Sequence, residues 1–372
     1  MGKRANGEGS ITYHKKWELY MARYTMVTPT GPKRKTIYGK VREEVAAKLA
    51  DALSDRNKGL VFDADNLTVG EYLDRWLRDS VQGSVRASTY KSYGQQVRRY
   101  LIPSLGQIKL RKLSPMHVQG MYRQMQDRGL SARTVEYTHA VLHRALKQAR
   151  RWGIVARNVT EDVDPPQVKR EEIQPLNCDQ TRALLKAAEG NRLEAMYIMA
   201  VHTGMRPGEL LALRWDDVDL DSRTLQLNRA LSDGEFNTPK TPRSRRRIKL
   251  TNGSVKALRA HRKRQFEERM RKAGIWKDHG LVFPSTVGTP LSHRNVVRSF
   301  KALLKRAGLP LGTRLYDLRH TCATLLLNSN VHPKYVQELL GHASIALTLD
   351  TYSHVIPGMD GGTASAMEDA LG

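Results

Sequence analysis

Hydrophobic and polar positions change their period twice along this chain, and the changes divide it. Apolar residues alternate with polar ones over Ser10–Tyr13, Trp17–Thr25 and Arg34–Tyr38, which predicts strands. Thr28-Pro-Thr-Gly-Pro32, between the last two, reads as a turn. A helical period follows from Val41 to about Ser54, with Val45, Ala46, Leu49 and Leu53 on one face. Between residues 67 and 160 the helical period returns over Val69–Trp76, Ala87–Tyr100, Pro115–Arg128 and Ala132–Trp152, with no strand signal among them. Thr68 and Ser88 are expected as N-caps there, and Gly129 and Gly153 as C-terminal stops.

Beyond Asp164-Pro-Pro166 and Lys169-Arg-Glu-Glu172 the pattern is mixed. Helices are expected over Asp179–Glu189 and Arg192–His202, strands over Thr224–Leu231 and Arg245–Leu250, and helices again to the end. This is not an alternating βαβ order, so the class is α+β with a small antiparallel sheet. The expected architecture is therefore multidomain. A small β-sheet-plus-helix domain occupies 1–60, an all-α domain 67–165, and a mainly helical α+β domain with a small antiparallel sheet 172–372.

Charge narrows the partner. The net charge is +25, from 62 Lys+Arg against 37 Asp+Glu. It is not one tail, because residues 1–60 carry 13 basic against 6 acidic side chains and residues 67–165 carry 17 against 8. A distributed positive field of this size attracts polyanions, and nucleic acid is the leading class. Lys15, Lys16, Arg23, Arg34 and Lys35 in the first segment, Arg98 and Arg99 in the second, and Arg245 in the third are candidate DNA contacts. Cys178 and Cys322 are far apart and without a partner pattern, which points to a reducing compartment and away from zinc or disulfides. No apolar run approaches the roughly 18 residues of a membrane span, and the N-terminus lacks a signal-peptide core. A cytoplasmic location with no membrane partner is expected. Neither GxGxxG nor GxxxxGK[ST] occurs, so no nucleotide cofactor is indicated.

Three clusters carry candidate chemistry. In Thr203-Gly-Met-Arg206-Pro-Gly-Glu209, a helix can stop on Gly204 and the next can start at Pro207. Arg206 then sits beside a fresh helix N-terminus, where a phosphate is favoured, with Glu209 able to orient its guanidinium. In isolation the pair reads more readily as a capped surface arginine with an i,i+3 partner. After the strand expected over Thr224–Leu231 comes a turn bearing Lys240, which could reach into a DNA groove and donate a proton to a leaving alkoxide, although a solvated basic turn is the commoner fate of a lysine. The third cluster is Leu315-Tyr-Asp-Leu-Arg-His-Thr-Cys-Ala-Thr324, then Leu340-Gly-His342, then Thr351-Tyr352. Asp317 is expected to cap a helix to about Asn328, with Leu318, Cys322 and Leu325 or Leu326 as its buried stripe. Pro333 and Gly341 bound a second helix, leaving His342 just past its end, and Ser344 can cap a third ending near Tyr352.

With Arg206, Lys240, Arg319, His342 and Tyr352 in that order, the chain resembles the tyrosine recombinases, the phage-integrase family. That family's signature is an arginine in a turn before a helix, a hairpin lysine, His-x-x-Arg, a Leu-Gly-His box and a tyrosine about ten residues on. One position departs: Tyr316 stands where the first histidine of His-x-x-Arg is expected. A phenol is a poor proton acceptor at neutral pH but can hydrogen-bond a phosphate oxygen. His320, one residue beyond Arg319, is expected to point elsewhere on the helix.

The resemblance implies an arm-type DNA-binding domain at 1–60, a helical core-binding (SAM-like) domain at 67–165 and a catalytic domain at 172–372. It implies that Tyr352 attacks the scissile phosphate to form a 3′-phosphotyrosyl link and free a 5′-hydroxyl. Arg206 and Arg319 would hold the non-bridging oxygens, Lys240 would protonate the leaving oxygen and His342 would assist, without metal or other cofactor. It further implies a homotetramer on double-stranded DNA at attachment sites, a C-terminal helix near 364–371 that couples protomers, and an excision factor and a host DNA-bending protein as accessory partners. A type IB-like topoisomerase shares the chemistry, and a non-catalytic DNA-binding protein derived from an integrase shares the architecture.

Overall fold

Three strands, β1 (Ser10–His14), β2 (Leu19–Thr28) and β3 (Gly31–Gly39), form an antiparallel sheet in the order β1-β2-β3. A computed structural model describes residues 10–28, 31–57, 66–168, 174–232, 234–237, 245–352 and 362–371, and divides into two units, Met1–Arg170 and Glu171–Gly372. The connection from β2 to β3 is tighter than the five-residue turn expected, since Val27 pairs with Pro32 and Thr28 with Gly31. Proline is tolerated there because β3 is the sheet's edge strand, with one side that needs no ladder donor. Ala22 and Tyr24 pack against Val45 and Leu49 of α1 (Arg42–Asn57), the apolar face read from the sequence.

The rest of the first unit is helical. It comprises α2 (Val69–Trp76), α3 (Ala87–Gln96), α4 (Ile102–Leu105), α5 (Pro115–Asp127) and α6 (Ala132–Arg151). Thr68 caps α2 through a reciprocal pair of bonds with Glu71, as expected. Ser88 is not a cap: α3 starts at Ala87, with Arg86 in the cap position. The helical stretch expected to run to Tyr100 widens into a π-turn at Val97–Leu101 and then continues as α4. Pro103 explains the widening, because it lacks the N–H that would complete the preceding turn. Tyr72, Trp76, Tyr122 and Leu142 fill the core, and the buried Tyr72 hydroxyl donates to the Ala145 carbonyl at 2.6 Å. Gly129 and Gly153 both take positive φ, 75° and 66°, at the helix ends predicted for them.

The second unit opens with α7 (Cys178–Ala188), α8 (Glu194–Thr203) and α9 (Pro207–Ala212). Strands β4 (Val218–Asp219), β5 (Thr224–Gln226) and β8 (Arg247–Lys249) form one small antiparallel sheet. β6 (Ala230–Ser232) and β7 (Glu235–Asn237) form a separate hairpin. The single strand expected over Thr224–Leu231 is thus broken. Asn228 and Arg229 turn their side chains to the buried Asp217 carboxylate, at 2.8 and 2.7 Å, and this diverts the chain between β5 and β6. Then follow α10 (Asn252–Arg271), α11 (His293–Arg306), α12 (Asp317–Asn328), α13 (Pro333–Leu340), α14 (Ile345–Tyr352) and α15 (Gly362–Leu371). α8 is buried along most of its length, with α7, α10 and α12 packed on it. Among the described residues no helix is long and apolar enough to cross a membrane.

Candidate active site

The turn between α8 and α9 organises the site. α8 ends on Gly204, whose φ of 59° is left-handed, and α9 starts at Pro207 with Arg206 as its cap residue. A Cβ on Gly204 would lie 2.5 Å from Leu340 Cδ2 and 3.4 Å from Cys322 Sγ, so α12 and α13 close directly onto this turn. Glu209, in the first turn of α9, accepts from the Arg206 backbone N–H and from its Nη1, both at 2.9 Å. The i,i+3 partnership read from the sequence is therefore present, but Glu209 does more. It is 5 % exposed and also accepts from Arg246, at 3.3 and 3.2 Å.

Arg319 enters from the first turn of α12. It is 1 % exposed, and its two amino groups donate to the carbonyls of Gly204 at 2.7 Å and Leu340 at 2.6 Å. A buried guanidinium held by carbonyls rather than a carboxylate keeps its full charge uncompensated in place. Burial, then the charges of Arg206 and Arg246, push its pKa down to about 10, which leaves it protonated at neutral pH. Burial alone would push the Glu209 carboxyl up, yet Arg246 and then Arg206 hold it below the usual carboxylate range. Three arginines against one carboxylate give the turn a net positive charge of the kind that binds an oxyanion.

His342 follows the left-handed Gly341 that ends α13, as predicted. Its Nδ1 lies 2.8 Å from Thr348 Oγ1, and its backbone N–H donates to the Gln337 carbonyl. Burial, then Arg319, Arg206 and Arg246, push its pKa down to about 4, so the imidazole is neutral at pH 7. Tyr352 closes α14 and is 2 % exposed, with its ring packed against Ala323, Leu327, Val336 and Leu340. Burial pushes its hydroxyl pKa up, opposed by the nearby charge of Arg319. Arg206, Glu209, Arg319, His342 and Tyr352 are thus gathered around one turn. Lys240 lies outside the described residues.

Some expectations change. Asp317 does not cap α12 from the cap position; it is the first residue of the helix, and its carboxylate accepts from the Arg314 backbone at 2.7 Å and from the Arg314 side chain. The buried stripe of α12 ends on Leu327, with Leu325 and Leu326 only half-buried. Tyr316 is 41 % exposed at the helix start, its ring edge-on to His320 at 5.4 Å. His320 does not point away: its Nδ1 is 2.7 Å from the Tyr352 hydroxyl. The signal for it was in the spacing, since His320 is one helical turn beyond Tyr316 and on the same face.

Arg246 was also missed. It is 8 % exposed, donates through Nε to the Leu339 carbonyl at 2.5 Å, and faces inward with Ile248 and Leu250 while Arg245, Arg247 and Lys249 face out. The period of two along β8 carries that information. Of the other basic candidates, Lys15, Lys16, Arg23, Arg34, Arg98, Arg99 and Arg245 are exposed and Lys35 half-buried. Among the described residues no group of three or more His, Cys, Asp or Glu is placed to hold a metal ion.

The phage integrase family model matches residues 174–358, and the model of the phage integrase N-terminal SAM-like domain matches 68–126. An integrase of Streptomyces ambofaciens is 32% identical over 364 residues, covering 94% of this chain and 93% of its own. A XerC-like tyrosine recombinase of Caldanaerobacter subterraneus subsp. tengcongensis is 29% identical over 347 residues, 87% and 88% of the two chains. Among solved structures, the Tn1549 transposon integrase in complex with transposon right end DNA superposes with a TM-score of 0.68 at 22% identity, over 82% of this chain and 100% of that one. The lambda integrase tetramer bound to a Holliday junction gives 0.59 at 19% identity, over 94% and 96%.

Proposed function

The chain belongs to the phage integrase family, the tyrosine-type site-specific recombinases, and on that premise we propose that it integrates and excises a mobile element through a phosphotyrosyl intermediate on Tyr352. The observation that carries the assignment is the convergence of Arg206, Arg319 and His342 with Tyr352 around the Gly204 turn. Arg206 and Arg319 stabilise the charge that builds on the phosphate, as donors fixed before the reaction begins. Their order is imposed by Glu209 on one side and two backbone carbonyls on the other, so little reorganises during the step. His342, neutral at working pH, donates or accepts a hydrogen bond at the phosphate without adding repulsion. Lys240 is assigned the proton delivered to the 5′-oxygen. Tyr316 contributes a hydrogen bond to a phosphate oxygen.

The substrate is double-stranded DNA at attachment sites, engaged by a homotetramer. Residues 1–60 form the arm-type domain, with Lys15, Lys16, Arg23, Arg34 and Lys35 as phosphate contacts. Residues 67–165 form the core-binding domain, with Arg98 and Arg99, and residues 172–372 the catalytic domain, with Arg245. The exposed placement of all of these basic side chains but the half-buried Lys35 supports this. An excision factor and a host bending protein complete the assembly, which works in the cytoplasm. Recombination between two plasmid-borne attachment sites should depend on those sites. Relaxation of a supercoiled plasmid lacking them, at a rate equal to that of a plasmid bearing them, would instead mark a topoisomerase.

A further inference from the structure

His320 and Tyr352 face each other across α12 and α14, with Nδ1 and hydroxyl 2.7 Å apart and ring centroids 5.6 Å apart. Both are held from behind. Tyr352 is walled by Ala323, Leu327, Val336 and Leu340, and His320 is braced edge-on by Tyr316. Nothing else that could accept a proton is placed at hydrogen-bond distance from the Tyr352 hydroxyl among the described residues. At the position where the family signature has its histidine, this chain has a phenol.

We propose that His320 is the proton acceptor for Tyr352, a catalytic residue one helical turn beyond the position the family signature assigns to a histidine. This rests on Tyr352 being the nucleophile. In the cleavage step the Tyr352 O–H donates to Nδ1. As the O–P bond forms, that proton passes to His320, giving an imidazolium. The P–O5′ bond breaks, and the 5′-oxygen takes its proton from the group assigned to Lys240. In rejoining, the 5′-hydroxyl returns its proton to that amine, attacks phosphorus, and the departing Tyr352 oxygen recovers its proton from His320.

The surroundings suit a neutral acceptor. Around His320 stand Arg314, Tyr316, Asp317 and Arg319 from its own helix and the turn before it, Tyr352 from α14, and His342 ahead of α14. Burial lowers the imidazole pKa, Asp317 opposes this, and Arg319 and Arg314 reinforce it, so the ring is unprotonated at neutral pH. The charged product is supported by Asp317, which also limits how far the pKa falls.

Adduct formation on a nicked suicide duplex tests this, with full-length protein and single-turnover rates from pH 6 to 10. Wild type should level off above the His320 titration. His320→Asn and His320→Gln should fall on the order of 100-fold at pH 7 and regain rate about tenfold per pH unit, as tyrosinate forms without help. His320→Gln keeps a hydrogen-bonding side chain, so a loss shared by both is not one of packing. With sulfur in the 5′-bridging position the leaving group needs no proton, and the His320→Asn defect should persist while that of Lys240→Ala is relieved. Rates within about threefold of wild type, or a profile parallel to wild type at every pH, would overturn the inference alone. An adduct formed by Tyr352→Phe would overturn the proposed function and this inference with it.

Discussion

Arg246 and Glu209 form a buried ion pair at 3.2 Å, 8 % and 5 % exposed, and each Glu209 oxygen also accepts from Arg206. The strand that follows the hairpin is thereby tied to the turn that presents Arg206, so the site's first arginine is positioned by a residue forty positions later in the chain.

Removing one partner leaves an uncompensated buried charge. Glu209→Ala should destabilise the second unit by about 3–5 kcal/mol, read by chemical denaturation. The double change Glu209→Leu with Arg246→Met should recover most of that stability while leaving recombination abolished, because Arg206 still lacks its orienting carboxylate.

Gly204 has both a positive φ and a tight neighbour. Gly204→Ala must hold a left-handed backbone and displace Leu340, whose Cδ2 would be 2.5 Å from the new methyl. A cost of about 1–3 kcal/mol is expected. The Gly204 carbonyl anchors Arg319, so adduct formation should slow more than DNA affinity weakens. Equal losses in both would show that the turn serves binding alone.

His261 is buried with Nε2 2.6 Å from the Val282 carbonyl, and burial pushes its pKa down to about 4. A folded pKa below the unfolded value means that the unfolded chain takes up the proton first. The contribution is therefore present above about pH 6.5 and is lost as pH falls toward 4. At about 1.4 kcal/mol per pKa unit, acidification should cost up to about 3 kcal/mol through this residue. His261→Gln, which keeps a donor for Val282, should flatten the fall of the unfolding midpoint between pH 6.5 and 4.

Arg98 and Arg99 stand exposed on the π-turn of the helical region. If each meets a phosphate, changing both to alanine should reduce the slope of log affinity against log salt by about 1–2. The loss should be the same on any sequence. Unchanged slope would remove this turn from the DNA-facing surface.

Much of this was legible in the sequence because local rules suffice for it. Thr68, Pro207, Gly204 and Gly341 mark helix ends by local capping chemistry, and Arg319, His342 and Tyr352 stand out through the order and spacing that the family resemblance rests on. What was missed depends on side chains from distant segments. Strand Thr224–Leu231 broke because Asp217 draws Asn228 and Arg229 aside. Arg246 was hidden in the five-residue run Arg243-Ser-Arg-Arg-Arg247, and the in-out alternation leading into β8 turns it inward. His320 was read by its neighbour Arg319, although a residue 100° round the helix can meet a different partner, here the tyrosine of α14.

The direct test of Tyr352 as nucleophile is recovery of the covalent protein–DNA adduct, followed by proteolysis and mass spectrometry of the nucleotide-bearing peptide. The modification should map to Tyr352 with the phosphate on the 3′ side of the break, and Tyr352→Phe should yield no adduct while still binding the site. A nucleotide on any other residue, or an adduct from Tyr352→Phe, would contradict it.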